Sequence, residues 1–473
     1  MLTDDLFQRI RLNFPHPPTA DQENAVRKFA DFLVSPSDEA VFVLKGYAGT
    51  GKTSIVGALV RTLDELNRKY VLLAPTGRAA KVFAHHSNHS AYTIHRRIYR
   101  QKAFSNETDN FVMGDNLLKD TLFVVDEASM IANEGLSGTS FGTGRLLDDL
   151  VQYVYNGNGC RMMLVGDTAQ LPPVGEEESP ALSRSMLEGY GLQVLECNLT
   201  QVVRQAGNSG ILCNATLLRM LITQEDCFSL PKIRLKGFPD VKMLPGSELI
   251  ETISDCYEHA GMDETIIVCR SNKRANLYNK GIRSSILYRE DELNAGDVLM
   301  VAKNNYFWGK DCKELDFIAN GDVAVVRRVR KVREMYGFRF ADVLLEFPDY
   351  QGLELEAKIL LDTLHSDAPA LTREQNEQLF SNVIEDYADV SVKRERMKKM
   401  KEDPYYNALQ VKYAYAVTCH KAQGGQWKRV FIDQGYLSEE MISPDYYRWL
   451  YTAFTRATER LYLVNWPEKQ TEG

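Results

Sequence analysis

At 473 residues the chain is too long for one hydrophobic core and points to two to four domains. Hydrophobic residues make up 44% and charged residues 25%, as in an ordinary soluble globular protein, and no apolar run is long enough to cross a bilayer. A formal net charge of −8 argues against a surface basic throughout, but it leaves room for a local basic groove.

The first residues, Met1-Leu2-Thr3-Asp4-Asp5, have neither the basic start nor the apolar run of a secretory signal, so a cytoplasmic location is expected. Eight cysteines are scattered singly, with no Cys-x-x-Cys and no zinc spacing, which predicts reduced, mostly buried thiols.

Taken in chain order, short apolar runs come first. Val41–Leu44, Val71–Ala74, Leu122–Val125 and Met162–Val165 are each followed by a turn or polar cluster and, mostly, a helix-compatible stretch. Continuous apolar strands alternating with helices predict an α/β fold with a parallel sheet over roughly the first 200 residues. A second set begins at Thr265–Val268 and resumes at Val430–Ile432 and Leu461–Val464. Between them the pattern alternates from about Gly296 to Leu361, with turns at Asn320-Gly321-Asp322 and Pro348-Asp349, which predicts short antiparallel strands. Charged helices are expected near Thr372–Tyr387 and Val392–Glu402. The whole reads as a small β module with a charged helical arm, inserted into a second α/β domain. The basic run Lys393, Arg394, Arg396, Lys398, Lys399 and Lys401 reads first as a solvated helix face, with contact to a nucleic-acid backbone as the alternative.

The first strand runs into Gly46-Tyr47-Ala48-Gly49-Thr50-Gly51-Lys52-Thr53, which fits G-x-x-x-x-G-K-[ST] between a strand and a helix expected over Ser54–Leu66. Glycines let backbone N–H groups turn inward around phosphate. Lys52 supplies a cation to the β- and γ-phosphates, Thr53 a hydroxyl to Mg²⁺, and the helix N-terminus a partial positive charge. Leu122–Val125 ends in Asp126-Glu127-Ala128-Ser129. Asp126 is the expected Mg²⁺ carboxylate and Glu127 the group that polarises the attacking water, so ATP hydrolysis is expected. The competing reading, that both carboxylates only cap a helix, loses weight beside the phosphate loop.

The stretch Asp126–Ser129 together with Gly166-Asp167-Thr168-Ala169-Gln170-Leu171-Pro172-Pro173-Val174-Gly175 resembles motifs II and III of superfamily 1 helicases of the RecD/Dda-like type. Thr19-Ala20-Asp21-Gln22 resembles the Q motif, Leu199–Gln205 motif IV, and Trp449–Ala457 motif VI. The resemblance spans residues 19 to 464, with a poorly matched middle. It implies two RecA-like P-loop domains with parallel sheets, a small hairpin (pin) in the first and an SH3-like β module in the second. The expected division is 1–205, with the pin at about 99–120; 206–300; the insert with its helical arm at 301–410; and 411–473. It further implies that Gln22 reads the adenine edge, that Gln170 senses the γ-phosphate, and that Arg204 and Arg456 are arginine fingers from the two sides of an interdomain cleft.

For the polynucleotide track, Ala74–Lys81 resembles motif Ia, Ala91–Arg96 the Thr-Ile-His element of this group, and Ala416–Gly424 motif V. Pro75, Thr76, Thr93, His95, Thr418, His420 and Lys421 are the implied contacts to single-stranded DNA, mostly through phosphates. The competing reading for His95 and His420 is a buried structural hydrogen-bonder. Phe104 and Phe111 stand where the family keeps its pin, and a mobile polar loop is the alternative there. Asn304–Trp308 either faces the exit path of the strand or packs the inserted module.

The resemblance as a whole implies a monomeric, 5′-to-3′ DNA helicase acting at duplex junctions in repair, recombination or replication. Three rivals stand beside it: a translocase that displaces proteins without parting strands, a small-molecule kinase or nucleotide-binding regulator, and a nuclease. No additional clustered acidic site in the sequence favours the last.

Overall fold

The computed structural model describes residues 2–101, 111–135, 142–202, 209–310, 312, 315 and 317–472. Arg204 and Phe104 fall outside the described residues, and the side chain of Phe111 likewise.

In the first lobe the strands are β1 (Ala40–Gly46), β2 (Lys69–Ala74), β3 (Ala91–Thr93), β4 (Tyr99–Gln101), β5 (Phe111–Met113), β6 (Thr121–Val125), β7 (Arg161–Gly166) and β8 (Gln193–Leu199). Six of them form one sheet in the order β3-β2-β6-β7-β1-β8, parallel throughout. Their near-continuous apolar sequences follow from burial on both faces. Val41, Val43, Phe123 and Leu164 face one core with the helix Leu146–Tyr155. Phe42, Leu44, Val124 and Val165 face the other, under the helices Leu2–Leu12, Ala20–Val34 and Lys52–Glu65. β4 and β5 pair antiparallel, Tyr99 with Met113 and Arg100 with Val112, which gives the expected hairpin its base.

The second lobe adds β9 (Ile233–Arg234), β10 (Val241–Leu244), β11 (Thr265–Cys269), β12 (Val298–Val301), β13 (Val323–Met335), β14 (Phe338–Phe347), β15 (Leu353–Leu360), β16 (Leu409–Tyr413), β17 (Ala416–Thr418), β18 (Trp427–Asp433), β19 (Ala457–Val464) and β20 (Thr471–Glu472). Its parallel sheet has the order β10-β19-β18-β11-β17. β12 to β16 close into a five-stranded barrel of the SH3-like kind, antiparallel except where β15 meets β16. The barrel's end strands, Val298–Val301 and Leu409–Tyr413, reach a few residues past each end of the expected 301–410. The charged helices Arg373–Glu385 and Lys393–Lys401 form a satellite core with the barrel's outer end, around Phe340, Leu379, Val383 and Met400. Four of the six basic side chains named above are exposed, and Arg396 and Lys401 are half-buried.

A buried ionic cluster roots the barrel in its lobe. Asp297 is 0% exposed and accepts from Arg283 Nε at 3.0 Å, Arg289 at 2.6 Å and Tyr415 Oη at 2.9 Å. Burial alone would raise its pKa, but the arginines and the Asn294 N–H outweigh that and hold the carboxyl below its usual range.

Candidate nucleotide site and polynucleotide track

β1 ends at Gly46 and the next helix begins at Lys52. The turn between them needs a left-handed residue at the helix N-cap, where Gly51 takes φ +84°, a conformation costly for any side chain. Thr50, fully buried, donates to Tyr47 O at 2.8 Å, and Gln22 Nε2 donates to Thr50 O at 3.0 Å. The other end of the Gln22 amide accepts from Thr19 N at 3.0 Å and completes a capping box on the helix Ala20–Val34. In this arrangement Gln22 braces the phosphate loop, and both ends of its amide are used inside the protein. Lys52 Nζ donates to Gly46 O at 2.6 Å and Tyr47 O at 3.1 Å, and stands 4.0 Å from Asp167.

Asp126 follows β6, with its N–H on Leu73 O at 2.9 Å and its Oδ1 accepting from Glu127 N at 2.9 Å. Burial, then the neighbouring Glu127 carboxylate, pushes its pKa up, while the Glu127 N–H and the Lys52 ammonium pull the other way. The Asp126 carboxylate at the end of β6 and the Thr53 hydroxyl at the start of the helix Lys52–Glu65 are the hard oxygen donors that Mg²⁺ takes alongside phosphate oxygens. Among the described residues no group of three or more His, Cys, Asp or Glu forms a metal cluster.

Motif III lies where the two lobes touch. Leu171 N donates to Thr452 Oγ1 at 2.9 Å, and Gln423 Nε2 donates to Leu171 O at 2.8 Å. Tyr451 Oη donates to Asp167 Oδ2 at 2.6 Å and accepts from Ala48 N at 2.8 Å. Gln170 is 6% exposed and its Oε1 has no hydrogen-bond partner, so a buried acceptor is left unmet. A cavity of about 300 Å³ opens beside it, lined by Lys45, Thr168, Gln170, Ser179 and Arg448. Arg456 does not reach the loop here. It is 3% exposed, with Nε on Thr452 O at 3.0 Å, Nη1 on Gly425 O at 3.0 Å and Nη2 on Thr455 Oγ1 at 3.1 Å. It sits just past the helix whose Tyr451 does reach the loop.

The expected track residues occupy matching places in the two sheets. Thr93 ends β3 and Thr418 ends β17, each an edge strand, and each leads into a short helix, Ile94–Ile98 or Cys419–Ala422. Thr93 accepts from Arg96 N at 3.2 Å. His95 is half-buried, and desolvation pushes its pKa down to about 4, so its ring is neutral at pH 7; desolvation also lowers the pKa of His420. Thr76, next to Pro75, caps the helix Gly77–Ser87 by accepting from Ala79 N at 3.2 Å. Asn304–Trp308 packs the module in part: Trp308 Nε1 donates to Asn407 O at 2.9 Å.

The barrel lies over this helix end. An added Cβ on Gly77 would stand 2.6 Å from Asp322 Oδ1 and 3.3 Å from Tyr350 Oη. Lys81 pairs with Asp349 at 2.8 Å, and Lys421 donates to Asn320. Burial pushes Lys421 down to about 8. Sequence reasoning named neither Asp322 and Asp349 as partners of motif Ia nor Tyr451 and Thr452 as partners of the first lobe. The tyrosine had a visible signal: a hydroxyl on a largely buried helix asks for a partner.

The fold and site together define a P-loop nucleotide-binding core of two α/β lobes with a cleft between them. An AAA domain model matches residues 18–220, and a UvrD-like helicase C-terminal domain model matches residues 413–464. An uncharacterized protein of Acanthamoeba polyphaga mimivirus is 24% identical over 93% of this chain and 98% of its own length. The ATP-dependent RecD2 DNA helicase of Deinococcus radiodurans is 24% identical over 92% of this chain, which spans 48% of that protein. Pif1 helicase from Bacteroides, solved in complex with ADP-AlF3 and ssDNA, superposes with a TM-score of 0.47 at 16% identity, covering 96% of this chain and 93% of that one. Through the AAA domain model, the UvrD-like helicase C-terminal model and the RecD2 relative, the chain is similar to superfamily 1 helicases of the RecD type. No helix among the described residues is long and apolar enough to cross a membrane.

Proposed function

We propose that this chain is a monomeric, ATP-driven motor that moves 5′ to 3′ along single-stranded DNA and parts duplexes at junctions. The observation that carries the reading is the direct seam between the phosphate loop and motif III on one lobe and the helix Pro444–Phe454 on the other. A ligand that rearranges the loop must act on both lobes, which is what cleft closure by a nucleotide requires.

In this reading Lys52 and the loop N–H groups hold the triphosphate, and Glu127 orients and polarises water for in-line attack. Thr53 and Asp126 would hold Mg²⁺, which supplies charge neutralisation at the phosphates. Gln170, with its unpaired buried oxygen, faces the reacting group. Arg456, and Arg204 outside the described residues, stabilise the charge that develops on the transferred phosphoryl, Arg456 after it leaves Thr452 O and Gly425 O. Pro75, Thr76, Thr93 and His95 on one lobe, and Thr418, His420 and Lys421 on the other, form two grips whose spacing changes with closure. Phosphate contacts of this kind position a strand without reading its sequence. The direction of travel rests on the family resemblance, and so does a role in repair, recombination or replication.

Strand displacement on forked substrates with either a 5′ or a 3′ tail, with and without ATP, tests the reading. ATP-dependent opening of the 5′-tailed fork alone is expected. DNA-stimulated hydrolysis with neither fork opened would favour a translocase that clears proteins, and hydrolysis indifferent to single-stranded DNA would overturn the motor.

A further inference from the structure

Tyr451 belongs to the second lobe, yet its hydroxyl is spent on the first. The side chain is 1% exposed, and its oxygen sits between the Ala48 N–H and the Asp167 carboxylate. Burial and the Asp167 charge both raise its pKa well above the ordinary value, so the phenol stays protonated: donor to Asp167, acceptor from Ala48. Ala48 is part of the loop whose inward N–H groups suit phosphate, and the loop's cation, Lys52, is turned at the same time onto the Gly46 and Tyr47 carbonyls. A neutral phenol oxygen is thus a weak substitute for a charged phosphate oxygen, which makes a stronger bond to the same donor.

We propose that Tyr451 is a positioning residue that holds the Ala48 N–H while the loop lacks phosphate and yields it when phosphate enters, so that the second lobe responds to the state of the loop. The proposal rests on the ATP-driven reading above. The path onward is short. The next residue, Thr452, holds Leu171 N of motif III through Oγ1, and its carbonyl holds Arg456 Nε at 3.0 Å. Displacing Tyr451 disturbs the helix end that holds Arg456 on the Thr452 carbonyl.

The test compares Tyr451→Phe with Thr452→Val and the unaltered protein. Binding of a fluorescent ADP or ATP analogue is measured without DNA, and hydrolysis with and without single-stranded DNA. Removing one competing hydrogen bond should tighten nucleotide binding in Tyr451→Phe by roughly 3- to 10-fold. The ratio of DNA-stimulated to basal turnover should fall. Thr452→Val loosens the same seam without freeing the loop N–H, so its nucleotide affinity should not rise. Equal tightening in both variants, or none in Tyr451→Phe, overturns the proposal while leaving the ATPase reading intact. Absence of nucleotide binding and hydrolysis in the unaltered protein overturns that reading instead. Should Tyr451→Phe fail to fold, 3-fluorotyrosine at position 451 serves: its ¹⁹F resonance must shift on saturation with ATP, and a fixed resonance refutes the displacement.

Discussion

Asp322 is the carboxylate whose removal has the most specific consequence. It is 1% exposed, its Oδ2 accepts from Ala319 N at 2.7 Å and from Tyr350 Oη at 3.0 Å, and its Oδ1 has no partner. Burial, with a smaller contribution from Asp349, lifts its pKa from 3.8 to about 7. At about 1.36 kcal/mol for each pKa unit, that rise makes the charged form cost on the order of 4 kcal/mol in the folded protein. The start of the helix Gly77–Ser87 beside Oδ1 returns about 1–2 kcal/mol through its dipole, leaving roughly 2–3 kcal/mol. Because the folded pKa lies above the unfolded one, the native state binds the extra proton between pH 4 and 7. Stability therefore declines as pH rises through that window. Asp322→Asn keeps the shape and the acceptor but cannot ionise. Urea unfolding of both proteins at about pH 4 and about pH 8 should show stabilities within roughly 0.5 kcal/mol at the lower pH and a variant more stable by roughly 2–3 kcal/mol at the higher. A difference between the two proteins that is the same at both pH values would refute the argument.

Lys52→Ala should abolish hydrolysis yet keep binding to single-stranded DNA in the absence of nucleotide, read by turnover and fluorescence anisotropy. Arg456→Ala should bind ATP and hydrolyse it at least 10³-fold more slowly, in the range known for arginine fingers, ~10³–10⁵; unchanged turnover would remove Arg456 from the chemistry. Asp297→Ala strands the buried Arg283 guanidinium and the half-buried Arg289 one and should destabilise the barrel's root by about 3–5 kcal/mol in chemical denaturation.

The strands β1, β2, β6 and β7, and β11, β18 and β19, were legible because strands buried on both faces must be apolar throughout. β8 and β10 were not. In Gln193–Leu199 exposed and half-buried residues alternate with buried ones, and Val241–Leu244 has exposed lysine and methionine between its ends, so neither makes a continuous apolar run. The phosphate loop and Asp126-Glu127 could be read because their chemistry is local: each needs its residue types at fixed spacing on one strand-to-helix turn. The seam between the lobes has no such spacing. Ala48 and Tyr451 are 403 positions apart, and Leu171 and Thr452 are 281 apart.

By itself, then, the order of residues determined two α/β lobes, a β module between strands of the second, and a triphosphate loop at the end of β1, since periodicity and turn chemistry act over a few neighbouring residues. Only the tertiary structure decided that Arg456 rests on its own lobe while Tyr451 reaches the other, and that Asp322 and Asp349 lie against motif Ia. Burial, and which hydrogen-bond donor meets which acceptor, depend on how distant segments pack, and no local pattern in the chain records that.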